Sequence, residues 1–520
     1  MCRFGASQRI GGVDGGSDLE KGRYSDCQDR LLRQQLRLLA VPATSRERVR
    51  QDNFTSTFLK TTAVFFGFTR TNPPPLCQIF LLTLFKKGKQ MIPETIPTVL
   101  LDRAFYNLHD IGQMVIRLEM LFAHHLDTER LDRAVRLTMN AAPILGCRFD
   151  DNADFGCWRR LAESEQQGLE VVTKLSDYQQ LGAADVDVKN GPAIKVHLLR
   201  EDAGDRLHVR LAHEVADAGA VKAVACLLSD IYCRLAKDPG YTPTESLTGE
   251  RNLEQVTRNL PWTAKFSIVA ALIKEGIAQN KKGRVQTIGL AATERTMPIF
   301  VCRHFTEKQV SAMGDAGRGC GATLNDIFLT ACFRSLSHED DWDEHKQLSL
   351  NLTVDLRRYL RDDQNPGVCN LSGIEAMTLS GPIEESFAQT LSRVSAMTRS
   401  RKKGYLGLNI YGSPMRKMLE KMSLGKYREM FYKKYNEMAQ NGKLCPTLTN
   451  MGPLPTVDFN GPPCECHLLA PPMYVPAFSI GLSGYTGAIT LSAAAFGPDE
   501  PTVSHFMNAI TTQLTDPESW

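Results

Sequence analysis

The sequence has no CxxC pair, no apolar run near the ~18 residues a bilayer span requires, and no GxGxxG after a strand. Each absence excludes something. The 14 cysteines are scattered singly, and the lone CxC of Cys464 and Cys466 has no second half of a metal site nearby. No metal site is expected, and the thiols read as buried or indifferent groups of a reducing compartment. Without a span, a soluble, cytoplasmic monomer is expected. Excess charge of either sign is missing too: 61 Lys and Arg against 58 Asp and Glu leave +3. That balance points neither to nucleic acid nor to an acidic membrane surface. The absent glycine fingerprint argues against a dinucleotide fold. What is there is 42% apolar and 23% charged over 520 residues, room for two or three domains or one two-lobed unit.

Residues 1–90 differ from the rest. GGVDGGSDLEKGRYSDCQDR carries no apolar period and reads as poorly ordered, while AVFFGF and IFLLTLF are too short to span a membrane. The segment ends FKKGKQM, whose Lys, Gly and Gln have purine-rich codons, as a translated ribosome-binding site would. Met91 is therefore expected to be the natural start, with the first ninety residues an over-extended reading frame.

From Met91 strands and helices alternate in two α+β lobes, 91–250 and 298–520, joined by a crossover at 251–297. MVIRLEMLF reads as a strand, followed by a helix that Asp127 or Thr128 can cap, with Leu131, Ala134, Val135 and Met139 on one face. AIKVHLLRED and DRLHVRLAH read as an antiparallel pair. In the following helix Cys226 and Cys233 share a face and are expected to pack as core. KFSIVAALIKEGIA reads as an amphipathic helix in the crossover. QLSLNLTVDLRR is the clearest strand, with Leu348, Leu350, Leu352, Val354 and Leu356 on one side and Asn351, Thr353, Asp355 and Arg357 on the other. AFSIGLSGYTGAITLSAAAF reads as a hairpin turning near Tyr485–Gly487.

The chemistry concentrates in LAHEVADAGA, residues 211–220. His213 ends the apolar row Leu207, Val209 and Leu211, so it is expected to point inward, and Asp217 stands just before a helix. A strand, a tight turn and a helix N-terminus hold a side chain rigidly. An imidazole placed so can take a proton from a hydroxyl or amine near neutrality. The same residues also permit a helix-capping Asp217 and a core His213. His124–His125 has no aspartate at that spacing and reads as surface. In GLSGY, Tyr485 stands where a nucleophile elbow needs glycine, which argues against a hydrolase centred on Ser483.

The run GPAIKVHLLRED…DRLHVRLAHEVADAGAVKAVACLLSDIY resembles the central signature of the condensation-domain and CoA-dependent acyltransferase superfamily, HHxxxDG. RLDRAVRLTMNAAPILGCRF, GATLNDIFLTACFRSL, NLTVDLRRYL…GVCNLSG, TLTNMGPLP and GYTGAITLS are similar to its other conserved segments, in the expected order. The resemblance covers about residues 92–515 and is nearest to stand-alone condensation-like or alcohol-acetyltransferase-like bacterial proteins. It implies two chloramphenicol-acetyltransferase-like lobes forming a V-shaped pseudo-dimer with a central tunnel. It further implies an acyltransferase that moves an acyl group from a thioester, acyl-CoA or acyl carrier protein, to a small-molecule alcohol or amine. His213 would be the general base and Asp217 structural, in an ion pair for which Arg148 is the candidate. Gly219, Arg357 and Asn370 would line the substrate side, and Asn450 would matter for architecture. No bound cofactor is implied, since the CoA or phosphopantetheine thioester is a cosubstrate.

Two positions depart from the pattern. Ala212 replaces the first histidine, and Ala218 stands where the family keeps glycine, with Gly219 one later. A slightly earlier helix start would accommodate Ala218. Its methyl also motivates the alternative, a catalytically silent condensation-like binding protein. The basic stretch RKKGYLGLNIYGSPMRKMLEKM suits a CoA or carrier contact, and equally a solvated helix.

Overall fold

Alternation of apolar and polar residues marks strands such as DRLHVRLA and LSLNLTVD, others such as AITLSAAAF are buried almost throughout, and helical spacing of apolar residues sets what packs on them. The computed structural model describes residues 93–520, apart from 244–246, 282, 340–341, 343–344, 381–382, 384, 410 and 517–519. The expected start at Met91 and the reading of residues 1–90 lie outside the described residues.

In chain order, β1 (Thr95–Pro97) and α1 (Leu100–Tyr106) precede β2 (Val115–Phe122), α2 (Thr128–Ala141), β3 (Cys147–Asp150), β4 (Cys157–Arg160) and β5 (Leu169–Val172). Next come α3 (Leu175–Ala183), β6 (Ile194–Glu201), β7 (Gly204–Ala212) and α4 (Ala218–Lys237). The crossover helix α5 (Trp262–Lys281) leads to β8 (Pro298–Phe305), α6 (Glu307–Gly319), α7 (Leu324–Ser337), β9 (Leu348–Asp355) and β10 (Ser372–Leu379). Then follow α8 (Phe387–Lys402), α9 (Pro414–Glu420), α10 (Leu424–Gln440), β11 (Thr447–Pro453), β12 (Glu465–Leu469), β13 (Ser479–Tyr485), β14 (Ala488–Phe496) and α11 (Glu500–Thr515).

The first large sheet has the order β12-β2-β7-β6-β5 and the second β10-β9-β11-β13-β14-β8. Helices α2 and α4 bury Leu131, Val135 and Met139, and Val221, Leu228 and Ile231, against the first sheet. Helices α7 and α11 do the same for the second, with Phe328, Phe333, Phe506 and Ile510. The α+β class expected from the sequence is the one found. Asp127 caps α2 by accepting the Arg130 N–H at 3.0 Å. The hairpin turns at Thr486 and Gly487, both at positive φ.

Strand β12 was not foreseen. It lies late in the chain, yet it pairs antiparallel with β2, Cys466 opposite Met120 and His467 opposite Glu119. The two sheets are thereby tied by one crossing strand, in which Cys466 is buried, while Cys464 lies just before it and is exposed. Three further expectations change. Cys226 is exposed and Cys233 half-buried, because the core face of α4 is taken by Val221, Val224 and Leu228. RKKGYLGLNIYGSPMRKMLEKM is not one helix: α8 ends at Lys402 and α9 begins only at Pro414. His125 is half-exposed as expected of surface, although its Nδ1 reaches the buried Asp205 at 3.1 Å.

The face of the first sheet away from α2 and α4 carries His467, Glu119, His208 and His197 in one transverse register. Glu119 bonds Tyr178 of α3 at 2.8 Å and His467 at 3.1 Å. Burial, with the nearby Arg210, pushes His197 down to about 3, so this imidazole is neutral.

Candidate active site

The loop between β7 and α4 carries His213. Its backbone N–H donates to the Met114 carbonyl at 2.8 Å, which fixes the loop to the start of β2. The N–H groups of Val215 and Ala216 both fold back onto the Ala212 carbonyl, closing a tight turn. Asp217 then caps α4, accepting the Ala220 N–H at 2.9 Å. Strand, turn and helix start thus hold His213 from three sides.

The imidazole has a defined tautomer. Its Nδ1 lies 2.9 Å from the Ala216 carbonyl, which can only accept, so Nδ1 carries the hydrogen and Nε2 keeps its lone pair. Asn370 holds the loop backbone. Its Nδ2 donates to the His213 carbonyl at 3.2 Å and its Oδ1 accepts the Ser372 N–H at 3.0 Å; Nδ2 also lies 3.1 Å from Nδ1, and with the hydrogen on Nδ1 that approach of two donors is not a hydrogen bond. The ring of Phe105 in α1 stacks on the imidazole with centroids 4.1 Å apart. Burial pushes the His213 imidazole below its ordinary 6.5, and Asp217 and the Ala216 carbonyl only partly oppose that. The group is neutral at neutral pH, and among the described residues Nε2 takes no hydrogen-bond partner.

Asp217 is buried and pairs with Arg357, not Arg148. The Arg357 Nη1 lies 2.8 Å from Asp217 Oδ2, which also accepts the Leu371 N–H at 2.7 Å. Arg357 further reaches the Cys369 carbonyl and Asp355. Burial alone would push the Asp217 carboxyl up, but Arg357 and the N–H donors hold it below 3.8. Arg148 sits exposed on β3, where the antiparallel register sets it opposite Arg159. Its side chain faces solvent on the three-stranded sheet β1-β4-β3 and takes no part in the loop.

Gly219, expected on the substrate side, instead makes room for this pair. A Cβ there would lie 2.6 Å from Arg357 Nη1. The guanidinium is anchored on three acceptors and has little freedom to move aside. Gly219→Ala should therefore cost about 1–3 kcal/mol, measured by urea unfolding. Ala218 is the first residue of α4, and its side chain packs against the first core.

Three residues of this region went unnoticed in the sequence: Phe105, His109 and Glu214. Glu214 follows His213 and is fully buried, with Oε1 2.5 Å from His109 Nε2. His109 Nδ1 lies 3.4 Å from Asp185. A glutamate among LAHEVA was the available signal, whereas His109 is distant in sequence and had none. Burial works against a charged His109, yet the two carboxylates outweigh it and raise the imidazole to about 10. A raised histidine adds stability in full below its ordinary 6.5, and that contribution is lost as pH climbs through about 10. Urea unfolding of wild type and His109→Gln across that window should show the difference between them shrinking with rising pH.

A cavity of about 410 Å³ opens beside Asp355, with Asn325, Thr353, Arg358, Lys402 and Asn450 in its wall. Asn450 sits on β11 and donates to Asn325 at 3.2 Å. Asp355 connects this cavity, through Arg357, to the His213 loop. Ser483 is buried and bonds the Leu468 backbone, in keeping with the expectation that it is no nucleophile.

No family model matches the sequence, and no curated protein matches it. Solved structures do. Polyketide synthase associated protein 5 from Mycobacterium tuberculosis superposes with a TM-score of 0.55 at 15% identity, over 81% of this chain and 99% of its own. The starter condensation domain of rhizomide synthetase, solved in complex with C8-CoA and Leu-SNAC, gives 0.59 at 14% identity, over 83% and 97%. The trichothecene 15-O-acetyltransferase TRI3 from Fusarium sporotrichioides gives 0.58 at 12% identity, over 81% and 95%. The chain has the fold of condensation domains and CoA-dependent acyltransferases.

Proposed function

We propose that the protein is an acyltransferase in which His213 Nε2 is the general base. The observation that carries this reading is the neutral imidazole whose Nδ1 is committed to the Ala216 carbonyl while Nε2 is left with a lone pair. Nε2 removes the proton of an acceptor hydroxyl or amine as its oxygen or nitrogen attacks a thioester carbonyl. The tetrahedral intermediate collapses with cleavage of the C–S bond, and the imidazolium returns the proton to the departing thiolate. The products are an ester or amide and a free thiol. Neither bound metal nor resident cofactor enters the cycle, because the thioester of CoA or of a phosphopantetheine arm arrives as cosubstrate.

Asp217, Arg357 and Asn370 are positioning residues in this scheme. The first two lock the loop, and Asn370 holds the His213 carbonyl. A passage between the two halves, meeting at His213, would admit donor and acceptor separately. Arg358 and Lys402 in the cavity wall offer positive charge to the phosphates of a CoA or pantetheine donor. The methyl of Ala218, which motivates the silent alternative, packs half-buried against the core of the first sheet.

A thiol-release screen over acyl-CoAs of increasing chain length, with alcohol and amine acceptors, tests the proposal. Acceptor-dependent thiol release is the expected result. If no acyl-CoA and no acyl-carrier thioester is consumed with any acceptor, the acyltransferase reading fails.

A further inference from the structure

Helix α5 is apolar on two opposite faces. Ala264 and Ile268 face inward and are buried, Ile268 within the small core of Leu253, Val256, Leu408 and Leu419. Facing out are Trp262, Phe266 and Ile273, at 71%, 69% and 59% exposure. At 100° per residue these three form one stripe, with the half-buried Val269 between Phe266 and Ile273. The rings of Trp262 and Phe266 meet edge to face at 5.7 Å. A helix that is apolar all round is normally covered all round, and an exposed tryptophan and phenylalanine side by side on a helix surface mark an interaction site.

The flanking charges say which kind. The same helical arithmetic puts exposed Lys265 on one side of the stripe and exposed Lys274 on the other, with Glu275 on the inward half. Apolar side chains centred between two lysines, with an aromatic pair at one end, suit a lipid–water interface, where aromatic rings sit at headgroup level and lysines meet anionic headgroups. The near-neutral charge of the whole chain carries no such signal. The local arrangement does.

We propose that the outer face of α5 is a docking surface for an anionic lipid bilayer, with Trp262, Phe266 and Ile273 inserting and Lys265 and Lys274 meeting the headgroups. This inference stands apart from the acyl-transfer reading. The test is co-sedimentation of the full chain with vesicles of phosphatidylcholine alone and with roughly one-third phosphatidylserine. Wild type should pellet with the anionic vesicles and about tenfold less with the neutral ones. A triple variant Trp262→Ser, Phe266→Ser, Ile273→Ser should lose the interaction while melting like wild type, because all three side chains are exposed. Tryptophan emission should shift to the blue on anionic vesicles in wild type and not in Trp262→Phe. Failure of wild type to bind anionic vesicles would overturn the proposal, as would a triple variant that binds as well. So would a wild-type dimer in sedimentation velocity that the triple variant converts to monomer, since the occupant would then be a second copy.

Discussion

Replacing Arg357 by alanine should destabilise the protein by about 3–5 kcal/mol, because it strands the buried Asp217 carboxylate. The Ala220 and Leu371 N–H groups would remain, but neither carries the full charge that offsets burial. Lysine should not rescue the loss. The guanidinium reaches Asp217, Asp355 and the Cys369 carbonyl at once, and a single ammonium cannot span those directions. The pH dependence has a sign. Asp217 is held below 3.8, so its contribution is present above that value and is lost as pH falls through the depressed one. Without Arg357 the carboxyl moves upward and acid unfolding should begin at higher pH. Urea titrations of wild type, Arg357→Ala and Arg357→Lys at neutral and acidic pH check both statements.

His213→Ala should lower turnover by roughly 10²–10⁴ without a comparable loss of stability. The imidazole is held by the Ala216 carbonyl and the Phe105 ring rather than supporting the core, so its removal leaves the β7–α4 turn in place. Rates should also stay high on acidification to below pH 6.5, because burial keeps the imidazole neutral past its ordinary value. The acid limb of kcat/KM in wild type reports that group.

Much of this loop was legible in the sequence because its parts are neighbours along the chain. Asp217 stood where a helix cap belongs, whereas β7 ends at Ala212, so the tight turn and not strand phase places the half-buried His213 against Phe105. Alternation likewise gave β9, where Leu348, Leu350, Leu352 and Val354 are all buried. What failed was pairing at a distance. Arg148 and Arg357 both lie in segments that resemble the superfamily's, and only the second is delivered to Asp217, by the turn that follows β9. The same turn explains Gly219, whose missing side chain matters only because Arg357 arrives there. Ala218 had been the weak point of the pattern, and an early start of α4 absorbs it. Glu214 lay in plain view, but its partner His109 comes from the loop before β2. Periodicity found α5 and missed its second apolar face, since a buried stripe and an exposed one have the same period.

The most direct measurement is thiol release from one accepted acyl thioester by wild type and His213→Ala, side by side, with unfolding curves for both. A folded His213→Ala protein with turnover down by roughly 10²–10⁴ is the expected result. A folded variant as active as wild type would contradict a general base at His213.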